Sequence, residues 1–171
     1  KNYLTNTSFE IPDTNFIASS DMSKIVSEDF SHSGESSLKL SSISLNQYVE
    51  QTVTVPKGRF YTFSGYFLGD MCSIGLYYED ENHETVSNFQ IIQSNDDFCK
   101  EDVNIYYDEN ATSDLKIRIN LDVPGICYVD DIQLETGEVA NEYNMIENSD
   151  FSAGLSDWTL QANKYDSNDE S

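Results

Sequence analysis

Leu115 to Leu121 reads Leu-Lys-Ile-Arg-Ile-Asn-Leu, with an apolar side chain at every second position. That period is a strand's, because successive strand side chains point to opposite faces. Segments of the same kind recur along the chain. Gln47 to Val55 alternates and stops at the turn Pro56-Lys57-Gly58. Phe60 to Leu68 is rich in aromatics, and Cys72 to Tyr78 follows after Gly69-Asp70. A polar loop from Glu79 to Glu84 leads into Thr85 to Gln93, then Val103 to Tyr107. Pro124-Gly125 turns the chain into Ile126 to Leu134. Short strands separated by turn residues predict an all-β sandwich of two antiparallel sheets. Asp21 to Asp29 is the one helix candidate.

The chain has 171 residues, 38% hydrophobic and 12% aromatic, enough to bury a core without staples. Its 31 acidic and 9 basic residues give a formal charge of −22. Such a surface repels phosphate backbones and anionic headgroups, which disfavours nucleic acid and membrane-surface partners. No apolar run approaches the roughly 20 residues of a membrane span. The cysteines, Cys72, Cys99 and Cys127, are odd in number and lack a CxxC spacing, which argues against a full disulfide framework and a zinc site; one bridge is open, and three buried thiols are the expectation.

Asn2-Tyr3-Leu4-Thr5-Asn6-Thr7-Ser8-Phe9 is echoed by Asn144-Met145-Ile146-Glu147-Asn148-Ser149-Asp150-Phe151. Both read Asn, apolar, apolar, acceptor, Asn, two variable positions, Phe. The reading is one module over 1–142 and the start of a second copy over 143–171, partly disordered toward Ser171.

Four segments carry a resemblance. Asn6-Thr7-Ser8-Phe9-Glu10 opens the chain, and Ser33-Gly34-Glu35-Ser36-Ser37-Leu38-Lys39-Leu40 follows. Tyr48 to Val55 comes next, and Tyr128-Val129-Asp130-Asp131-Ile132-Gln133-Leu134-Glu135 closes the module. In this order they resemble galactose-binding-like jelly rolls, specifically carbohydrate-binding modules of families four, nine and twenty-two. Glu135 to Asn144 is also similar to repeats of large Gram-positive surface proteins. The resemblance implies a two-sheet antiparallel jelly roll, a glycan partner, and a secreted or cell-surface bacterial location for a monomeric module within a longer chain.

It also implies a structural Ca2+ tying the opening segment to the last strand. The matching donors are Glu10, the Ser33–Lys39 segment, Asp130 and Asp131, with backbone carbonyls at Ser8 and Lys39. Strand alternation sends Asp130 and Asp131 to opposite faces, so one of them needs a cation or donors. Asp130 is the first choice. The alternative is a pair of solvated strand-end carboxylates.

A glycan site needs aromatic platforms beside hydrogen-bonding groups. Tyr48, Tyr61, Tyr66, Tyr77, Tyr78, Tyr106 and Tyr107 supply aromatics. Parity puts Tyr61, Phe63 and Phe67 in the core and Tyr66 on the opposite, concave face with Thr62 and Ser64. Tyr77 or Tyr78 is expected to face outward as well, with Gln51, Gln90 and Arg118 as companions. The competing reading is packing with the hydroxyls wet. The one Trp, Trp158, belongs to the second copy. His32 and His83 sit in polar loops and read as solvated, and no GxSxG, HExxH or phosphate-cradling loop occurs. The expectation is a non-catalytic glycan-binding module, or else a spacer or adhesion domain without a sugar site.

Overall fold

The computed structural model describes residues 1–138. The expected second copy, with the later half of the echo, lies outside them. The strands are β1 (Ile17–Ala18), β2 (Ser23–Ser27), β3 (Ser37–Ser42), β4 (Gln47–Val53), β5 (Arg59–Glu79), β6 (Thr85–Tyr107), β7 (Leu115–Leu121) and β8 (Gly125–Thr136). Every pairing is antiparallel.

The segments 60–68 and 72–78, expected as separate strands, form one bent strand of 21 residues. β6 runs beside it for 23 residues. The ladder slips between Phe67 and Gly69 and again between Asp70 and Cys72, where Met71 takes a positive φ of 59°. An irregularity of this kind bends a strand without ending it. Before the bend β5 pairs with β8, and after it with β7. Two sheets result. The first is β1-β4-β7-β5-β6 and the second β2-β3-β8-β5-β6, five strands each, sharing the hairpin.

The predicted alternation holds in β7: Leu115, Ile117, Ile119 and Leu121 are buried. They meet Val49, Ile74 and Leu76 of the first sheet and Leu38, Leu40, Phe63, Phe67, Val129 and Leu134 of the second in one core. The helix candidate at 21–29 is instead β2, paired residue for residue with β3 from Ser23↔Ser41 to Ser27↔Ser37. Its β-branched Ile25-Val26 suits a strand, and β3 supplies the hydrogen bonds that a helix would have made internally. Cys72 and Cys127 are buried thiols with sulfurs 3.4 Å apart, whereas Cys99 is only half-buried.

The opening segment lies beside the closing strand. Tyr3 N donates to Leu134 O at 2.8 Å, and Ile132 N to Thr7 O at 3.0 Å. Asn2 serves both roles: its Oδ1 accepts from Leu134 N and its Nδ2 donates to Ile132 O. Leu4 and Phe9 are thereby buried.

At the corner, Gly69 is required by contact. A Cβ there would stand 3.0 Å from Ile126 O and 3.1 Å from Cys127 Cα, both backbone atoms. Gly69→Ala must therefore push the two strands apart, at a cost of about 1–3 kcal/mol. The check is a lower denaturation midpoint with an unchanged m value.

Candidate functional site

Residues paired across antiparallel strands share a face. On the outer face of the first sheet this places Glu50, Arg118, Gly75 and Phe89 in one row. Tyr48, Asn120, Ser73 and Ile91 form the row on one side, and Thr52, Lys116, Tyr77 and Ser87 the row on the other. Gly75 lets Phe89 lie across the sheet, since a Cβ on Gly75 would fall 2.1 Å from the Phe89 ring. Phe89 remains 44% exposed.

Arg118 is the centre of this face. Its guanidinium carbon stands 3.8 Å from the Tyr48 ring centroid and 4.9 Å from that of Tyr77. Its Nε and Nη2 donate to Glu50 Oε1 at 3.0 and 2.6 Å. Nη2 also reaches the Tyr77 hydroxyl at 3.0 Å, and that hydroxyl donates to Glu50 Oε1. Burial first, then the bond to Glu50, push the Tyr77 hydroxyl up to about 12, so it stays a neutral donor. Asn120 Nδ2 donates to Ser73 Oγ at 3.1 Å in the neighbouring row. The result is a rigid polar patch edged by aromatics. Arg118 Nη1 and Glu50 Oε2 take no part in the bonds named.

Tyr77 and Arg118 therefore come together. The other three expected partners do not join them. Gln51 pairs with Ile117 and Gln90 with Ile74, so both have the parity opposite to Arg118; Gln90 stays exposed at the edge strand, where its Nε2 donates to Ile91 O at 3.2 Å. Tyr66 belongs to the second sheet, on the far side of the sandwich, and the His32 ring covers it at 3.5 Å in a stacked contact. Glu50, Ser73, Asn120 and Phe89 were missed. The signal was parity: Tyr48-x-Glu50 and Arg118-x-Asn120 alternate with core residues. Register, which aligns those pairs, was not readable.

The residues expected to hold calcium form a clasp. In β8, Gly65 is opposed by both Asp131 and Ile132, because Ser64 pairs with Gln133 and Tyr66 with Asp130. Asp131 takes a positive φ of 49° at this bulge. The bulge undoes the alternation, so Asp130 and Asp131 both reach the loop at 32–33 instead of facing apart. Asp130 Oδ2 accepts from His32 N at 2.9 Å and Ser33 N at 3.1 Å, and its Oδ1 from Asp131 N at 2.9 Å. Asp131 accepts from Ser33 Oγ and lies against His32 Nδ1, each at 2.7 Å. His32 is thus an anchored side chain and not a solvated one. Burial raises Asp130 to about 6 despite these donors.

Glu10 holds the other end of the loop. Its Oε1 accepts from Glu35 N at 3.0 Å and its Oε2 from Ser36 N at 3.1 Å. Gly34, with φ of 63°, leaves room for it: a Cβ would stand 2.6 Å from Glu10 Oε2. Lys39 points its ammonium at Asp29, 3.1 Å away, and Ser8 is half-buried in the opening segment. Calcium takes six to eight oxygens. Each carboxylate oxygen here already faces an N–H, an O–H or the His32 ring, and those donors repel a cation. Among the described residues no three His, Cys, Asp or Glu side chains gather to hold a metal. As arranged, the carboxylates form a hydrogen-bonded clasp on the loop.

No family model matches the sequence. The tRNA(Glu)-specific nuclease WapA of Bacillus subtilis subsp. natto strain BEST195 is 26% identical over 129 residues, 68% of this chain and 6% of that protein. The tRNA nuclease WapA of Bacillus subtilis strain 168 matches to the same extent. The chain thus spans a small part of these relatives' length. Among solved structures, a family 16 carbohydrate-binding module superposes with a TM-score of 0.67 at 17% identity, over 78% of this chain and 99% of that one. The CBM22-1 xylan-binding domain of Paenibacillus barcinonensis Xyn10C gives 0.65 at 18% identity, over 78% and 94%. TmCBM61, solved with β-1,4-galactotriose, gives 0.57 at 18% identity, over 80% and 99%. These likenesses establish the fold, a two-sheet jelly-roll sandwich.

Two measurements check the geometry. A double-mutant cycle of Arg118→Met and Glu50→Gln should show a coupling of about 1–2 kcal/mol, because either single change leaves a half-buried charge unpaired. For the clasp, excess EDTA should leave the melting temperature unchanged, while Glu10→Ala lowers it by several degrees. A fall in EDTA that added Ca2+ reverses would put the ion into this loop in place of the amide donors.

Proposed function

We propose that this chain is a non-catalytic glycan-binding module that takes a neutral polysaccharide on the outer face of its first sheet. The observation that carries the reading is the locked Arg118–Glu50–Tyr77 unit beside the exposed Phe89 ring. Sugar rings offer C–H faces and pairs of hydroxyls. Phe89 and the Tyr77 edge provide an apolar surface for the first. Arg118 Nη1 and Glu50 Oε2, a donor beside an acceptor, suit the second. The partners are fixed before the sugar arrives, so little ordering cost remains.

The pairing of Arg118 with Glu50 also neutralises the centre of the face. Lys116 adds a cation at the edge of the face, 5.7 Å from the Tyr77 ring centroid, but the −22 chain as a whole would repel a uronic or sulfated sugar. A nucleic acid is disfavoured for the same reason. Catalysis lacks its groups: His32 is held in the clasp on the other sheet, and His83 lies in the turn between β5 and β6. The structural neighbours support the substrate class, since they include a xylan-binding domain and a module solved with β-1,4-galactotriose. A secreted or cell-surface location belongs to the same reading, as a module that meets polysaccharide outside the cell.

The test is titration of the chain with soluble xylan and β-1,4-galactan, after a glycan array to select the ligand. Saturable binding is expected, and Phe89→Ala or Arg118→Ala should weaken it about tenfold or more, roughly 1.4 kcal/mol. Binding that both variants leave intact moves the site elsewhere. No saturable binding to any glycan leaves the spacer or adhesion role.

A further inference from the structure

The sandwich has three edges, and they are unequal. β1 edges the first sheet with 2 residues and β2 the second with 5. β6, with 23 residues, edges both, and among the described residues it pairs only with β5. One side of its backbone therefore has no strand partner among the described residues; two of its carbonyls are capped by side chains, Ile91 O by Gln90 Nε2 at 3.2 Å and Asn104 O by Asn88 Nδ2 at 2.7 Å, and an added strand has to displace the first. Proteins usually blunt such an edge with lysine, proline or inward-pointing charge.

The first half of β6 carries none of these. From Thr85 to Asn95 there is no charged residue and no proline, in a chain that is 23% charged. Acidic residues bound the window on both sides, at Glu84 and at Asp96-Asp97. Its exposed side chains are uncharged: Phe89 is 44% and Ile91 61% exposed, between the polar Ser87 and Gln93 on the same face. The second half of β6 is different, with Lys100, Glu101 and Asp102 on its course. The one stretch of long edge where an acidic copy would not be repelled at contact is thus the stretch with exposed apolar side chains.

We propose that this window is a self-association edge, on which a second copy of the chain adds its own β6 antiparallel. A two-fold axis at Gln90 sets Phe89 of one copy opposite Ile91 of the other, twice. Phe89 and Ile91 share the outer face, pairing with Gly75 and Ser73 respectively. An aromatic against a β-branched residue is a favourable cross-strand pair. The two first sheets then run on as one, Ile91 is covered at the join, and the Phe89 ring stays over Gly75 on the shared outer face. A basic or acidic peptide would find no counter-charge in the window, which favours an identical partner over either. The arrangement is closed by its symmetry and stops at two copies. It does not rest on the glycan reading.

Sedimentation velocity on the full 171-residue chain tests it, over a range of concentrations at low and high NaCl. The expected species is a monomer–dimer mixture that shifts toward dimer with concentration. Salt should tighten the dimer, because it screens repulsion between two acidic copies. Ile91→Lys should weaken association at least about tenfold. Gln93→Lys, opposite Ser87 of the other copy, should do so as well, and it decides the matter if Ile91→Lys unfolds the chain. Ile25→Lys, the same change at an exposed position on edge strand β2, should leave the dimer intact. A monomer at every concentration overturns the proposal. So does a dimer insensitive to the β6 lysines, or growth beyond two copies. Glycan titration of the Gln93→Lys variant, which leaves the three rows of the binding face unchanged, keeps the two readings separate: the face can succeed or fail there by itself.

Discussion

The β5–β6 hairpin bends at residues 67–72 and so belongs to two sheets at once. Everything else in the fold follows from that sharing. The half of β5 before the bend recruits β8, which recruits β3 and β2. The half after the bend recruits β7, which recruits β4 and β1. Two continuous ladders hold the sheets in register with one another, and apolar burial between them supplies the driving force. The corner tolerates this because Gly69 brings β5 against the backbone of β8 without a side chain between them.

The outer face of the first sheet shows how a core pattern dictates a surface. Each residue of β7 that points inward fixes its neighbours outward, and the ladders set which outward residues meet. Arg118 lands beside Glu50 and above Gly75, with tyrosines on both sides. A half-buried guanidinium is acceptable there because the carboxylate answers its charge and the rings cover its faces. The same packing that makes the charge tolerable holds its remaining polar atoms in place.

The second sheet uses its acidic residues differently. The bulge at Asp131 turns two adjacent carboxylates toward one loop, and Glu10 takes the loop's other end. The carboxylates give the loop's backbone amides fixed acceptors at His32, Ser33, Glu35 and Ser36, which makes them structural. His32 stacks on Tyr66 as part of this closure and covers the face that tyrosine would have offered.

By itself the sequence determined the class of fold, through the apolar period of Leu115–Leu121 and the turn residues around each segment. It also determined that Tyr61, Phe63 and Phe67 are core, since local alternation needs no knowledge of the partner strand. It brought Tyr77 and Arg118 forward as outward groups. Tertiary structure decided the rest. Whether residues 60–78 make one strand or two depends on a ladder that bridges the bend. Gln51 and Gln90 fall on the side opposite Arg118 because of their registers with Ile117 and Ile74, which no local pattern encodes. Asp130 and Asp131 share a side only because a bulge inserts one residue, and a bulge is a property of two strands together. Period is written along one chain, whereas register and bulges arise between strands. That is why the core was legible in the sequence and the arrangement of the site was not.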